Sequence, residues 1–146
     1  MITCTAYGPA GPAVYLATTQ DFRTVEPGQV SMYVCGPTVY KPSHVGHMVG
    51  PVIFDTVKRY LTYLGYKVTW AVNITDVDDK LIAAAAKAGT DMRSMAEQYA
   101  AEYFEVLKLY GIDTIDQFPK ASEHIAEMIA ICERLIGKGH AYGAEG

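Results

Sequence analysis

The residues best suited to chemistry lie in one stretch, residues 35–47, CGPTVYKPSHVGH. His44 and His47 stand three apart, so on a helix both rings share one face near its start. A helix N-terminus attracts phosphate, and an imidazole can donate hydrogen bonds to phosphate oxygens. Gly46 removes a side chain between them and lets a nucleotide approach the backbone. The pair by itself also fits two surface histidines at a helix start. Cys35 closes the preceding apolar run and by itself fits a buried thiol. Thr75 is a common type of helix-entry residue. Asp76, Asp78 and Asp79 fit helix capping better than a Mg²⁺ site. Trp70 and Tyr40 fit ordinary core aromatics, His140 a structural position after a helix end, and His124 receives no chemical role.

The elements around these residues alternate in type. Val14–Thr18 and Val30–Cys35 read as strands, the second rich in β-branched and aromatic residues. A helix from Ser43 or His44 to Leu64 follows from Val45, Met48, Val49, Val52, Ile53, Val57, Tyr60, Leu61 and Leu64. Gly50-Pro51 predicts a kink or a delayed start in it, and Gly65 a C-cap. Lys67–Ile74 reads as the next strand. Helices follow over about 77–88 and over Asp91–Tyr110, then a short strand in IDQF and a helix over Ala121–Lys138. In the last of these Ile125, Met128, Ile129, Cys132, Leu135 and Ile136 share a stripe that predicts a buried face. Strand–helix–strand order implies an α/β fold, a parallel sheet with crossover helices. It resembles the first half of a Rossmann-like nucleotide-binding domain and is incomplete, since such sheets have about six strands. The ligand edge of such a sheet is the carboxyl end of its strands, where residues 35–47 fall.

Composition narrows the function classes. The chain has 146 residues, half of them hydrophobic, and a formal net charge of -4. That excludes a disordered chain and argues against nucleic-acid binding by the whole surface. Cys4, Cys35 and Cys132 are far apart and form no C-x-x-C pair, so neither a disulfide framework nor a Cys-rich zinc knuckle is expected. A cytoplasmic setting fits, with no signal peptide and no membrane partner; no apolar run approaches about 18 residues.

VCGPTVYKPSHVGH, followed by FDTVKRYLTYLGYKVTWAVNITDVDDKLI, resembles the cysteinyl-tRNA synthetases, class I aminoacyl-tRNA synthetases. His44-Val45-Gly46-His47 matches that class's His-Ile-Gly-His signature with Val for Ile. The likeness continues through Pro119-Lys120-Ala121-Ser122-Glu123-His124-Ile125 and Lys138-Gly139-His140-Ala141-Tyr142. It implies ATP-dependent activation of cysteine to cysteinyl-adenylate and transfer to the cysteine tRNA, with Mg²⁺ accompanying ATP. It further implies that His44, Gly46 and His47 bind ATP, with both histidines catalytic through electrostatic stabilisation. Cys35, Gly36 and Thr75 would bind cysteine, and Cys35 matches the family's first zinc ligand, where Zn²⁺ holds the substrate thiolate.

The likeness covers residues 14–146, the N-terminal portion of such a catalytic domain, and leaves residues 1–13, with the turn-rich GPAGPA stretch, as a loose segment. The family's other zinc ligands and its Lys-Met-Ser-Lys-Ser loop have no counterpart here. The chain is therefore expected to be a fragment, inactive alone, weak in zinc binding, and marginal or self-associating unless a complementary chain supplies the other half. Val49, Val72 and Lys120 stand where arginines are common in the family. Two other readings remain: a ligase joining activated cysteine to an amino sugar, and a non-catalytic nucleotide-binding or partner module.

Overall fold

A computed structural model describes residue 22 and residues 24–144. The expected strand at Val14–Thr18, the loose segment 1–13 and Cys4 lie outside the described residues. Strand β1, Gln29–Val34, leads through a loop to helix α1, Val45–Tyr63, and on to strand β2, Lys67–Val72. The strands pair in parallel, from Gln29 opposite Lys67 to Val34 opposite Val72. Gly65 turns the chain between α1 and β2 with φ at 91°, a conformation that costs a side-chain-free residue nothing. Helices α2, Asp79–Ala88, and α3, Met92–Leu109, follow; a 3-10 turn at Ala121–His124 leads into α4, Ile125–Gly137.

A third extended segment runs beside β2 on the edge away from β1. Val72 N donates to Gln117 O at 3.0 Å, Ile74 N to Pro119 O at 2.9 Å, and Ala121 N to Ile74 O at 3.0 Å. The expected IDQF strand does not form as such: of that segment only Gln117 pairs, in an isolated parallel bridge with Ala71, and a second bridge joins Ile74 with Lys120 beyond it. Pro119 has no amide to donate, which interrupts the ladder.

One face of this sheet carries the core. Trp70, Val72 and Ile74 are almost wholly buried, with Met32 and Val34 packed beside them. Met48 of α1, Leu81 and Ala85 of α2, and Ala96, Ala100, Tyr103 and Leu107 of α3 complete the cluster. Desolvation in this cluster pushes the Tyr103 phenol up to about 12.

Three expectations change. Helix α1 starts at Val45 and continues through Pro51, so its start is not delayed. Gly50 has no Cβ to clash with the proline ring, and the ring's clash partner, the His47 carbonyl, lies in the first turn, where the chain can yield. Second, the buried stripe of α1 is Met48, Pro51, Asp55, Lys58 and Leu61, while Val45, Val49, Val52, Ile53 and Tyr60 are exposed. Third, no residue of α4 is buried, and Cys132 is exposed rather than in a core stripe. Among the described residues nothing covers that stripe.

The two charged residues in the α1 stripe are satisfied by the segment after α3. Lys58 Nζ donates to Thr114 O and to Asp116 Oδ2, and Asp116 Oδ2 also accepts from Trp70 N at 2.6 Å. Asp55 accepts from Thr114 Oγ1 at 2.6 Å and from Arg59 Nε at 2.7 Å, and Arg59 reaches Asp113 at 2.6 Å. These hydrogen bonds hold the Asp116 carboxyl below its usual range despite opposing desolvation. Lys58→Ala leaves Asp116 and the Thr114 carbonyl without this donor. It should lower stability by about 1–3 kcal/mol, read in urea as a lower midpoint with an unchanged slope.

Candidate functional site

The parallel pairing does not stop where the strands end. Thr75 N donates to Pro37 O at 3.1 Å and Val39 N to Thr75 O at 3.3 Å, so Thr38 and Thr75 form a further parallel bridge. Between them the turn at Gly36 lies directly on the backbone of Asn73. A Cβ at Gly36 would sit 1.7 Å from the Asn73 carbonyl oxygen, which no neighbour's adjustment can relieve. Asn73 Oδ1 accepts from Gly36 N at 2.9 Å, and Asn73 Nδ2 donates to Thr75 Oγ1 at 3.0 Å. Gly36 and Thr75 are thus bonded to one asparagine, with Cys35 beside Gly36 in the chain. The Cys35 thiol is exposed, and it donates to Gly36 O at 3.6 Å.

The other end of the loop is pinned by α3. Glu102 Oε1 accepts from Ser43 N at 3.0 Å, one residue before the cap of α1. His44 is that cap, with extended φ and ψ of -128° and 168°. Its Nδ1 accepts from Gly46 N at 3.1 Å, and His47 Nδ1 accepts from His44 N at 3.3 Å. This is a capping box built from two imidazoles. The rings stack, 3.8 Å between centroids and 27° apart. Gly46 makes room for this: a Cβ there would lie 2.9 Å from His44 Cε1.

A backbone amide can only donate, so both Nδ1 atoms carry lone pairs, and each neutral ring carries its proton on Nε2. The two rings therefore each keep one N–H beyond the cap. Desolvation, then His44, then Lys41 lower the pKa of His47 and favour its neutral form.

Of the acidic residues after β2, two serve α2 as expected and Asp76 does not. Asp78 caps α2 through Lys80 N at 2.8 Å, and Asp79 lies in the first turn. Asp76 accepts from Ser122 N at 2.9 Å and from Ser122 Oγ at 2.5 Å, tying the 3-10 turn to the end of β2. Trp70 is in the core, and Tyr40 is packed against it beneath Lys41. His124 precedes α4 without a capping bond, and His140 N closes that helix on Leu135 O at 2.9 Å. A cavity of about 360 Å³ near Ile74, Arg93 and Lys120 has neither histidine of the pair nor Cys35 in its wall. The candidate site is an open sheet edge instead.

Sequence reasoning passed over Asn73 and Glu102. Asn73 carries a signal, an amide side chain at the carboxyl end of a strand beside Thr75. Glu102 carries none, being a glutamate among others on a long helix.

The description "tRNA synthetases class I (C) catalytic domain" fits the family whose model matches residues 21–146. A Cysteine--tRNA ligase of Geobacter sulfurreducens is 50% identical over 129 residues, 88% of this chain and 27% of the relative. Those of Bacillus pumilus and Parvibaculum lavamentivorans are 45% and 50% identical, over 87% and 86% of this chain and 27% of each relative. The chain thus spans about a quarter of the length of these curated relatives. A solved Campylobacter jejuni protein, assigned as an arginyl tRNA synthetase, superposes with a TM-score of 0.59 at 17% identity, over 80% of this chain and 36% of that one. That likeness speaks for the fold alone, a partial Rossmann-like α/β arrangement. With the family match running over most of its length, the chain belongs to the class I (C) tRNA synthetase catalytic-domain family.

Proposed function

We propose that the chain carries the amino-acid-activating part of a cysteine–tRNA ligase, with residues 14–146 forming the N-terminal portion of its catalytic domain. The observation that carries this reading is the paired-imidazole cap of α1, set at the carboxyl edge of a parallel sheet. In the reaction a carboxylate oxygen of cysteine attacks the α-phosphorus of ATP. The bond to pyrophosphate breaks, and cysteinyl-adenylate forms. The ribose hydroxyl at the 3′ end of the cysteine tRNA then attacks the acyl carbon and releases AMP.

His44 and His47 act as neutral donors. Each presents Nε2–H to phosphate oxygens, where negative charge shifts as the bond to pyrophosphate breaks. The amino end of α1 adds the field of its aligned peptides. Because the rings are already fixed by the cap, little reorganisation is required during the reaction, and preorganised donors of this kind are worth most. Mg²⁺ would arrive with ATP as its counter-ion. Cys35, Gly36 and Thr75 form the cysteine end of the site, with the Gly36 amide already spent on Asn73.

Zinc does not fit these residues alone. Among the described residues no three His, Cys, Asp or Glu side chains converge, whereas a catalytic zinc site takes about three protein ligands. Zn²⁺, and the surface that binds the tRNA, would need the remaining three quarters of the length, on the same polypeptide or a complementary chain. Among the described residues no helix is long and apolar enough to cross a membrane.

The test is a chimaera in which this chain replaces the matching part of the Geobacter sulfurreducens ligase. It should catalyse cysteine-dependent ATP–pyrophosphate exchange, and His44→Ala and His47→Ala should each reduce the rate about 10²–10³-fold. Exchange without cysteine dependence, or untouched by both substitutions, overturns the reading; acylation of an amino sugar instead of tRNA replaces it with the rival ligase.

The cap also predicts a pH dependence in the chain itself. His47 titrates below about 6.5 when folded and near 6.5 when unfolded. The unfolded chain therefore takes up the proton first as pH falls, and folding stability drops from about 6.5 downward. Thermal midpoints should decline as pH falls through about 6.5, and the decline should be shallower in His47→Gln.

A further inference from the structure

Asn73 stands between the two halves of the cysteine end, and its two hydrogen bonds have opposite polarity. Gly36 N is a backbone amide, so the Asn73 atom facing it at 2.9 Å must be the carbonyl oxygen. The amide nitrogen then faces Thr75, 3.0 Å away, and the Thr75 oxygen must accept. A hydroxyl that accepts keeps its own proton free to donate. Among the described residues no acceptor takes that proton. Gly36 also lies so close to Asn73 that the turn cannot admit a side chain there.

We propose that Asn73 is a positioning residue that sets the polarity of Thr75: it fixes the Thr75 hydroxyl as a hydrogen-bond donor toward an anionic group of the amino-acid substrate, and holds the Cys35–Gly36 turn against it. This rests on the reading above, in which Cys35 and Thr75 face cysteine. Recognition follows from the chemistry. A carboxylate or thiolate can accept from that hydroxyl proton.

Two substitutions separate this role from a general tightening of the loop. Asn73→Asp keeps an oxygen for Gly36 N but gives Thr75 a second acceptor in place of a donor. The hydroxyl must then donate inward, and the ligand meets its lone pair. Asn73→Ala removes both bonds. In the 146-residue chain, exchange of the Gly36 amide hydrogen should quicken about tenfold in Asn73→Ala and stay near parental in Asn73→Asp. In the active chimaera, Asn73→Asp and Thr75→Val should each raise KM for cysteine about tenfold, with KM for ATP unchanged and kcat moved less than KM. The double variant should be no worse than Thr75→Val alone, because Asn73 acts through that hydroxyl.

Parental Gly36 exchange in Asn73→Ala would overturn the proposal. So would additive effects in the double variant, or a parental KM for cysteine in Asn73→Asp. A parent chimaera without cysteine-dependent exchange removes the underlying reading and the proposal with it; an active parent with any of those results removes the proposal alone.

Discussion

Everything at the candidate site depends on the parallel pairing of β1 with β2, because that pairing continues after both strands have formally ended. Parallel strands need a crossover between them, and α1 is that crossover. Its sequence therefore both closes the β-α-β unit and delivers two histidines to the edge where the strands point. Beyond Val34 and Val72 the backbones stay within hydrogen-bond reach as far as Val39 and Thr75. A loop that would otherwise have been free is held along its length: Gly36 on Asn73, Val39 on Thr75, Ser43 on Glu102. Shortening β2 or shifting its register by one residue would turn the site residues to the other face.

The charged contacts lie on the opposite flank of α1 from its cap. Asp55, Lys58 and Arg59 bind the segment after α3, so the middle and far end of the helix are anchored by ion pairs. At its near end the helix is capped by two imidazoles, and the Glu102 carboxylate holds Ser43 N just before the cap. This division suits a site for polyanions. The amino end is electropositive through its peptide dipoles, with Lys41 near enough to act on His47.

Much of this was legible in the residues. The strand–helix–strand order, the Asp78 cap and the His44–His47 pairing follow from local pattern, because capping and periodicity act over a few positions; Asp76 does not, since it bonds Ser122, 46 residues on. The buried stripe of α1 did not follow. Periodicity marks apolar positions, and Asp55 and Lys58 are buried only because Thr114 and Asp116, far along the chain, arrive to satisfy them. Asn73 and Glu102 escaped notice for the same reason: their partners lie 37 and 59 residues away. The α4 stripe is amphipathic in sequence, yet a pattern says which face wants burial and not whether a surface is there to receive it. Gly46 was assigned a role toward a nucleotide, whereas its nearest constraint is the ring of His44 folding back over the helix start.

Helix α4 has a thermodynamic consequence of its own. It has 13 residues, none buried, and a helix of that length is marginal in water when nothing packs on it. The chain's single tryptophan, Trp70, sits at the centre of the core, with no exposed surface. Fluorescence therefore follows the sheet and the helices packed on it, whereas far-ultraviolet circular dichroism also counts α4. Fraying of α4 precedes loss of the core, and the two spectroscopies trace different melting curves, so a two-state free energy, including the one that Lys58→Ala should lower, belongs to the core that fluorescence follows.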